Sequence, residues 1–226
     1  MPVYHKLGSF PQKRHVVFQS KDKNHYYEQL FGTEGFSGMS SLLYHVHRPT
    51  QVKEVIRSYS VVPEIAIEKN IKSLLLKGFE IKPSDDFLES RKSLLVNGDC
   101  NIGLAATKKS QSSYFYKNAD ADEMLFIHKG KGILKTFMGN IPFEYGDYLI
   151  IPRGMIWQIH FETSDNRLLF CESFAPYYTP KRYKNSQGQL LEHSPFCERD
   201  YKLPGELETY DQKGDFIIKI KKEGMI

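Results

Sequence analysis

The chain has 226 residues, 40% of them hydrophobic, and a formal net charge of +4, which is a globular composition long enough to bury a sizeable core. The lysines are interleaved with acids, leaving no footprint for nucleic acid, and no apolar run approaches the roughly twenty residues a membrane helix needs. Cys100, Cys171 and Cys197 are widely spaced without any CxxC, which argues against a disulfide framework or zinc cluster; with no apolar leader after Met1-Pro2-Val3-Tyr4-His5, a soluble protein in a reducing, cytoplasmic setting is expected.

The first residues read as a loop-rich arm. Gly8, Gly32, Gly35 and Gly38 supply backbone freedom and the aromatic residues between them supply anchoring area, so this segment should wrap a sandwich rather than form one. His5 and His15 sit among Lys6, Lys13 and Arg14, a polar surface suited to meeting another subunit. His45 and His47 are spaced as neighbours on one face of a strand, which a metal site could exploit. The simpler reading is a half-buried or exposed pair beside the Pro49 turn.

Further along, Arg57–Val61 and Glu64–Ile67 alternate polar with apolar residues and read as strands, whereas Ile71–Leu76 fits strand or helix. Ser84 with Asp85 and Asp86 reads as an N-cap opening a short helix through Phe87-Leu88-Glu89. Ser93–Val96, Asn97-Gly98 and Ile102–Ala106 together read as a hairpin.

Next comes a turn-punctuated region. Gly130 and Gly132 bracket a turn after Glu123–His128, Gly139-Asn140 makes another, and Pro152-Arg153-Gly154 a third. The runs between them, Ile133–Phe137, Asp147–Ile151, Ile156–Phe161 and Leu168–Ser173, are short and rich in β-branched and aromatic residues, and read as an antiparallel meander. Trp157 is the only tryptophan and is expected to fill the interior. Asp120, Asp122 and Glu123 form the densest acidic cluster, a donor set that a hard cation could use. Yet Asp122 and Glu123 point to opposite faces of an extended segment, and Asn118-Ala119-Asp120-Ala121 reads as a solvated turn. Glu123 itself is either a solvated relic or a buried, partnered carboxylate. Glu123, His128 and His160 are the acid–base candidates, but no spacing holds them near a nucleophile.

Ala175–Tyr183 reads as an extended connection and Ser186–Gln189 as a turn. Cys197, with only His193 nearby, reads as a packed thiol. Asp215–Ile220 is a strand pattern and Lys221–Gly224 a turn; Met225-Ile226 then begins an apolar run that reads as a strand cut short.

Glu123, Gly130, Gly146, Pro152 and Gly154 together resemble the two-part cupin motif. In metal-binding cupins, histidines occupy the places that hold Tyr116, Asn118 and Trp157 here. A mononuclear metal wants imidazole and carboxylate donors converging from adjacent strands, and one surviving Glu123 cannot hold it. The strings Tyr4–Gly8, Lys13-Arg14-His15, Tyr27–Gly38 and Ser40–His45, closing on Pro49-Thr50, resemble the amino-terminal signature of homogentisate 1,2-dioxygenase, the ring-opening enzyme of tyrosine and phenylalanine catabolism.

That resemblance covers the whole chain. It implies an all-β, cupin-like or RmlC-like antiparallel β-sandwich (jelly roll) with a loop-rich N-terminal extension and at most short helices. Residues 1–50 would be a wrapping arm, 51–175 the sandwich with degenerate cupin motifs over 116–157, and 176–226 an extended arm with a returning strand. For the full-length enzyme it implies cleavage of homogentisate by dioxygen to maleylacetoacetate, and assembly into trimers and hexamers. Fe(II) would be held by two histidines and a glutamate of a carboxy-terminal domain absent from this chain. No catalytic, cofactor-binding or metal residue is carried over, so no bound cofactor is expected in these residues. The alternative is a complete, non-catalytic cupin-like protein that binds a small molecule or a partner.

Overall fold

The computed structural model describes residues 18–49, 51–67, 72–205 and 207–226; His5, His15 and Ile71, the first residue of the ambiguous run, lie outside them. Its regular structure is all β apart from three single 3-10 turns among the described residues. In the arm, β1 (Tyr27–Glu34) and β2 (Ser37–His45) form a two-stranded hairpin. The described part of the arm is therefore more regular than its glycine content suggests. Phe31 anchors it to the body, edge-on to Phe137 at 5.3 Å between centroids.

The body is two five-stranded sheets. One runs β3 (Arg91–Val96), β4 (Cys100–Thr107), β11 (Asn166–Ser173), β6 (Asp122–Lys129), β9 (Tyr148–Ile151). The other runs β12 (Ile218–Lys221), β5 (Phe115–Asn118), β10 (Ile156–Phe161), β7 (Gly132–Thr136), β8 (Gly139–Phe143). All neighbours are antiparallel except β12, which lies parallel to β5. The strand runs are where the sequence places them, but they do not form a meander. From β8 onward, consecutive strands alternate between the sheets, as in a jelly roll. The central strands carry an apolar face that a single sheet would leave wet; crossing back and forth lets the two inner faces bury each other. Leu125, Ile127, Ile159, Leu168 and Phe170 are all sealed between them.

Several local readings shift. Arg57–Val61 and Glu64–Ile67 belong to neither sheet and have no regular structure beyond an isolated bridge at Ser60, and Ile65 and Ile67 are 74% and 93% exposed. Instead Tyr59 exchanges backbone hydrogen bonds with Ile226 at 2.7 and 2.9 Å, and the Val61 N–H donates to the Gly224 carbonyl at 2.8 Å. The helix expected after Ser84 is one turn. Asp86 is its cap, with Oδ1 accepting from the Glu89 N–H at 3.0 Å, and Arg91 has already entered β3. The turn assigned to Gly139-Asn140 falls on Phe137-Met138, since Gly139 pairs with Thr136. Of the Asp215–Ile220 strand pattern, Ile218–Ile220 is paired in a sheet, and Lys221, read as the start of the turn, is the last residue of β12.

Candidate functional site

At one end of the sandwich the inner faces carry charge rather than hydrocarbon. Register puts Glu172 of β11 directly opposite Glu123 of β6 on one side and Asn101 of β4 on the other. Two facing carboxylates would repel; two cations reach in to offset them. Arg91, the first residue of β3, donates from Nη1 to Glu123 Oε1 at 2.7 Å, and its Nη2 lies 3.4 Å from Glu172 Oε1. Lys221, the last residue of β12, donates to both Glu172 oxygens at 2.7 and 2.8 Å. Asn101 Nδ2 and Asn118 Nδ2 complete the Glu172 shell at 2.8 and 2.9 Å. The Arg91 guanidinium also lies over the Phe170 ring at 4.1 Å, so its faces as well as its edges are packed.

Glu123 and Glu172 are 1% exposed each, so their surroundings set their protonation. Burial pushes Glu123 above its ordinary value, with Arg91 opposing and the Glu172 charge adding to the rise. Burial acts on Glu172 in the same direction, but Arg91, Lys221 and Asn101 outweigh it and hold this carboxyl below its ordinary value. Burial also holds the Tyr116 phenol well above its usual range, so it stays neutral.

This donor set does not suit a ferrous ion. Of the residues at the cupin metal positions, Trp157 has no lone pair to give, and Tyr116 is a neutral phenol. The Asn118 Oδ1 already accepts the backbone N–H groups of Asp120 and Ala121, both at 3.0 Å. Glu123 is held by a guanidinium that would repel a divalent cation. Arg91 supplies the positive charge that a metal would otherwise bring to Glu123.

The acidic cluster is dispersed to separate tasks. Asp120 accepts the N–H groups of Glu223 and Gly224 at 2.6 and 3.0 Å, clamping the final turn. Asp122 is buried and accepts from the Arg153 and Tyr177 N–H groups at 2.9 and 3.0 Å. The segment read as a solvated turn is buried at Asn118 and Ala121, because Asn118 spans both the turn and Glu172. Of the two readings of Glu123, the structure shows the buried, partnered one. Glu123→Gln is expected to cost about 1–3 kcal/mol in chemical denaturation, since it weakens a charge-assisted bond to a buried guanidinium.

The acid–base candidates do not converge. His128 leaves β6 on the outer face, among Phe79, Phe126 and Tyr145, and His160 Nε2 meets Gln158 at 3.2 Å. His45 contacts Gln29 Oε1 at 2.9 Å while His47 pairs with Asp211. Cys197 is packed at 6% exposure. Among the described residues, no three His, Cys, Asp or Glu side chains are grouped to hold a metal. Arg91, Glu172 and Lys221 were not singled out from the sequence. Glu172 did leave a signal there: it ends the inward series Leu168, Phe170, Glu172, and a carboxylate in register with core residues calls for a partner.

A cleft of about 500 Å³ opens beside this network, between β3, Lys221 and the Val61–Glu64 segment.

Comparison with known proteins follows the same lines. The family model for the homogentisate 1,2-dioxygenase N-terminal region matches residues 7–204. The protein named "Putative dioxygenase SSO1533" of Saccharolobus solfataricus is 35% identical over 221 residues, covering 98% of this chain and 56% of the relative. Homogentisate 1,2-dioxygenase of Bradyrhizobium diazoefficiens is 31% identical over 142 residues, covering 59% of this chain and 30% of that protein. The chain thus spans about half the length, or less, of these curated relatives. Among solved structures, a conserved Streptococcus pyogenes protein of unknown function aligns with a TM-score of 0.38 at 17% identity, over 50% of this chain and 98% of the other. The Schizosaccharomyces pombe Cnp3 cupin domain aligns at 0.34 and 15%, over 37% and 62%.

Proposed function

Because the chain belongs to the homogentisate 1,2-dioxygenase amino-terminal family, we propose that it is the scaffold part of a ring-cleaving dioxygenase acting on homogentisate. The ferrous iron and the residues that activate dioxygen would lie outside residues 1–226. The observation that carries this reading is the Arg91–Glu123 pair: the cupin carboxylate is spent on a guanidinium at 2.7 Å, which supports reading this barrel as a scaffold.

A scaffold of this kind needs faces to build on. The outer face of the β4-β11-β6-β9 sheet offers a row of Leu104, Leu169, Phe126 and Tyr148 in register, beside a second row of Ile102, Cys171, Met124 and Ile150. Tyr148 and Ile150 are 62% and 46% exposed. Such a surface supports assembly into a homo-oligomer, the trimer or hexamer of the proposal. Among the described residues no helix is long and apolar enough to cross a membrane, and the proposed setting is the cytoplasm.

The test uses the 226-residue chain loaded anaerobically with ferrous iron and desalted. It is expected to retain no stoichiometric iron and to show no homogentisate-dependent oxygen uptake. Stoichiometric iron together with robust uptake would overturn the scaffold reading. The second reading, a complete binding protein of cupin type, is favoured by one observation, the cleft beside Arg91 and Lys221. Intact-mass analysis of the native polypeptide separates the two readings. A species well above the mass of these residues supports the dioxygenase, and a single species at that mass supports the binding protein.

A further inference from the structure

Three sulfur-bearing side chains that lie far apart in the sequence meet on the outer face of the β3-β4-β11-β6-β9 sheet. Leu168, Phe170 and Glu172 of β11 point inward, so Cys171 between them points out. On one side it stands directly opposite Met124 of β6. On the other, β4 sets Ile102 opposite Cys171 and Cys100 opposite Ser173, which makes Cys100 the diagonal neighbour of Cys171 on the same face. All three are half-buried and within reach of solvent, whereas Cys197 is buried. The Tyr177 phenol closes on the group, donating to the Cys171 carbonyl at 3.2 Å. Burial first, then the Cys171 thiol and the charges of Asp122 and Cys100, hold that phenol above its usual range, so it stays neutral.

The spacing decides what such a group can do. Diagonal side chains on paired strands stand about 7–8 Å apart, or somewhat less at Cβ, whereas a disulfide needs about 3.5–4.5 Å between Cβ atoms. Cys100 and Cys171 therefore stay as thiols unless the strands move. An ion between two sulfurs replaces one bond of roughly 2.0 Å with two of roughly 2.3 Å, the length of a zinc–thiolate bond, and so bridges a wider gap. Zinc itself wants four donors, and the neighbouring carboxylate of Asp122 already accepts the N–H groups of Arg153 and Tyr177. Thiolate and thioether sulfur without imidazole or carboxylate is the donor set that selects Cu(I).

We propose that Cys100, Cys171 and Met124 form a binding site for a soft monovalent ion, Cu(I), with Cys171 as the central thiolate, Cys100 as the second and the Met124 thioether as a third donor. The two thiols release their protons to solvent as the ion binds. The donors are all this chain's own, and the site does not depend on the ring-cleavage reading. It lies at the end of the outer face beneath Tyr177, one row removed from the exposed Tyr148.

The test is anaerobic titration of the reduced protein with Cu(I) in competition with the coloured bicinchoninate complex of the same ion. The protein is expected to take one equivalent and to gain an ultraviolet thiolate-to-copper absorption. Cys171→Ser should abolish binding, Cys100→Ser should weaken it by about tenfold or more, and Met124→Leu by about threefold or more. Cys197→Ser, which alters the remaining thiol, should bind like the parent. All of the substituted ligands are on the outer face, and circular dichroism confirms that each variant is folded. No uptake of Cu(I) by the folded protein, unchanged uptake by Cys171→Ser, or loss of uptake in Cys197→Ser alone would overturn the proposal. Displacement of the bound ion by an equal concentration of Zn(II) would overturn its assignment as a soft-ion site.

Discussion

Trp157→Ala is expected to destabilise the protein by about 3–5 kcal/mol, read as a lowered midpoint in urea or guanidinium unfolding with an unchanged slope. The indole is 1% exposed and lies between Tyr116 and Phe87, at 5.3 and 5.9 Å in edge-on geometry. Truncation removes its own buried surface and also strips both neighbours of their packing partner. Leu125, Ile127 and Ile159 around it are fully sealed and held by both sheets, so the cavity has little room to collapse. The indole Nε1 is buried with no acceptor, so Trp157→Phe, which deletes that donor and keeps the aromatic face, should cost much less. A near-neutral alanine variant would show that the indole is not part of the core.

Removing Glu172 should be comparably severe. Glu172→Ala takes away the carboxylate that Lys221 meets and one of the two that lie near Arg91 among the described residues, and is expected to cost about 3–5 kcal/mol because buried positive charge is left uncompensated. The paired change Glu172→Met with Lys221→Met should recover part of that loss, since it removes both members of the ion pair and fills the volume with hydrocarbon. If the double variant is no better than Glu172→Ala, the network is held by something other than this charge balance.

The same site predicts an acid limb. Glu172 is held below its ordinary value of 4.5, so the unfolded chain binds its proton first; the stability it contributes is present above pH 4.5 and is lost as pH falls through the lower folded value. Glu123 runs the other way. Its folded value is raised above 4.5, so its contribution is fullest at low pH and declines as pH rises through that raised value. A Glu172→Gln variant should therefore lose stability less steeply on acidification below pH 4.5 than the parent does. Equal slopes would mean that Glu172 is not held ionised in the fold.

Much of the barrel was legible because strand periodicity is a local property. Ile156–Phe161 is a strand with the bounds its composition suggests, and Leu168–Ser173 extends by two residues to Asn166. The turns at Gly130 and Pro152-Arg153-Gly154 follow from residues that tolerate or impose unusual backbone angles, and Gly130 and Gly154 have φ of +117° and +85°. The edge segments were harder. Arg57–Val61 alternates like a strand, yet alternation records only which residues prefer water; Glu64–Ile67 alternates too, and no sheet edge is there to receive it. At Ser84–Glu89 a genuine capping side chain was present, but Arg91 had to start β3, which left room for a single turn.

Alone, the order of residues settles the β character of the body, the positions of most of its strands, and the loss of histidines from the cupin metal positions. Those depend on side-chain identity and short-range spacing. Tertiary structure decides that the strands alternate between sheets, that Asp120, Asp122 and Glu123 serve separate contacts, and that Arg91 and Lys221 come to rest against two buried carboxylates. Arg91 and Glu123 are 32 residues apart, and Glu172 and Lys221 are 49. No local pattern encodes such meetings; closing both sheets over one core is what brings these charges out of water and obliges them to pair.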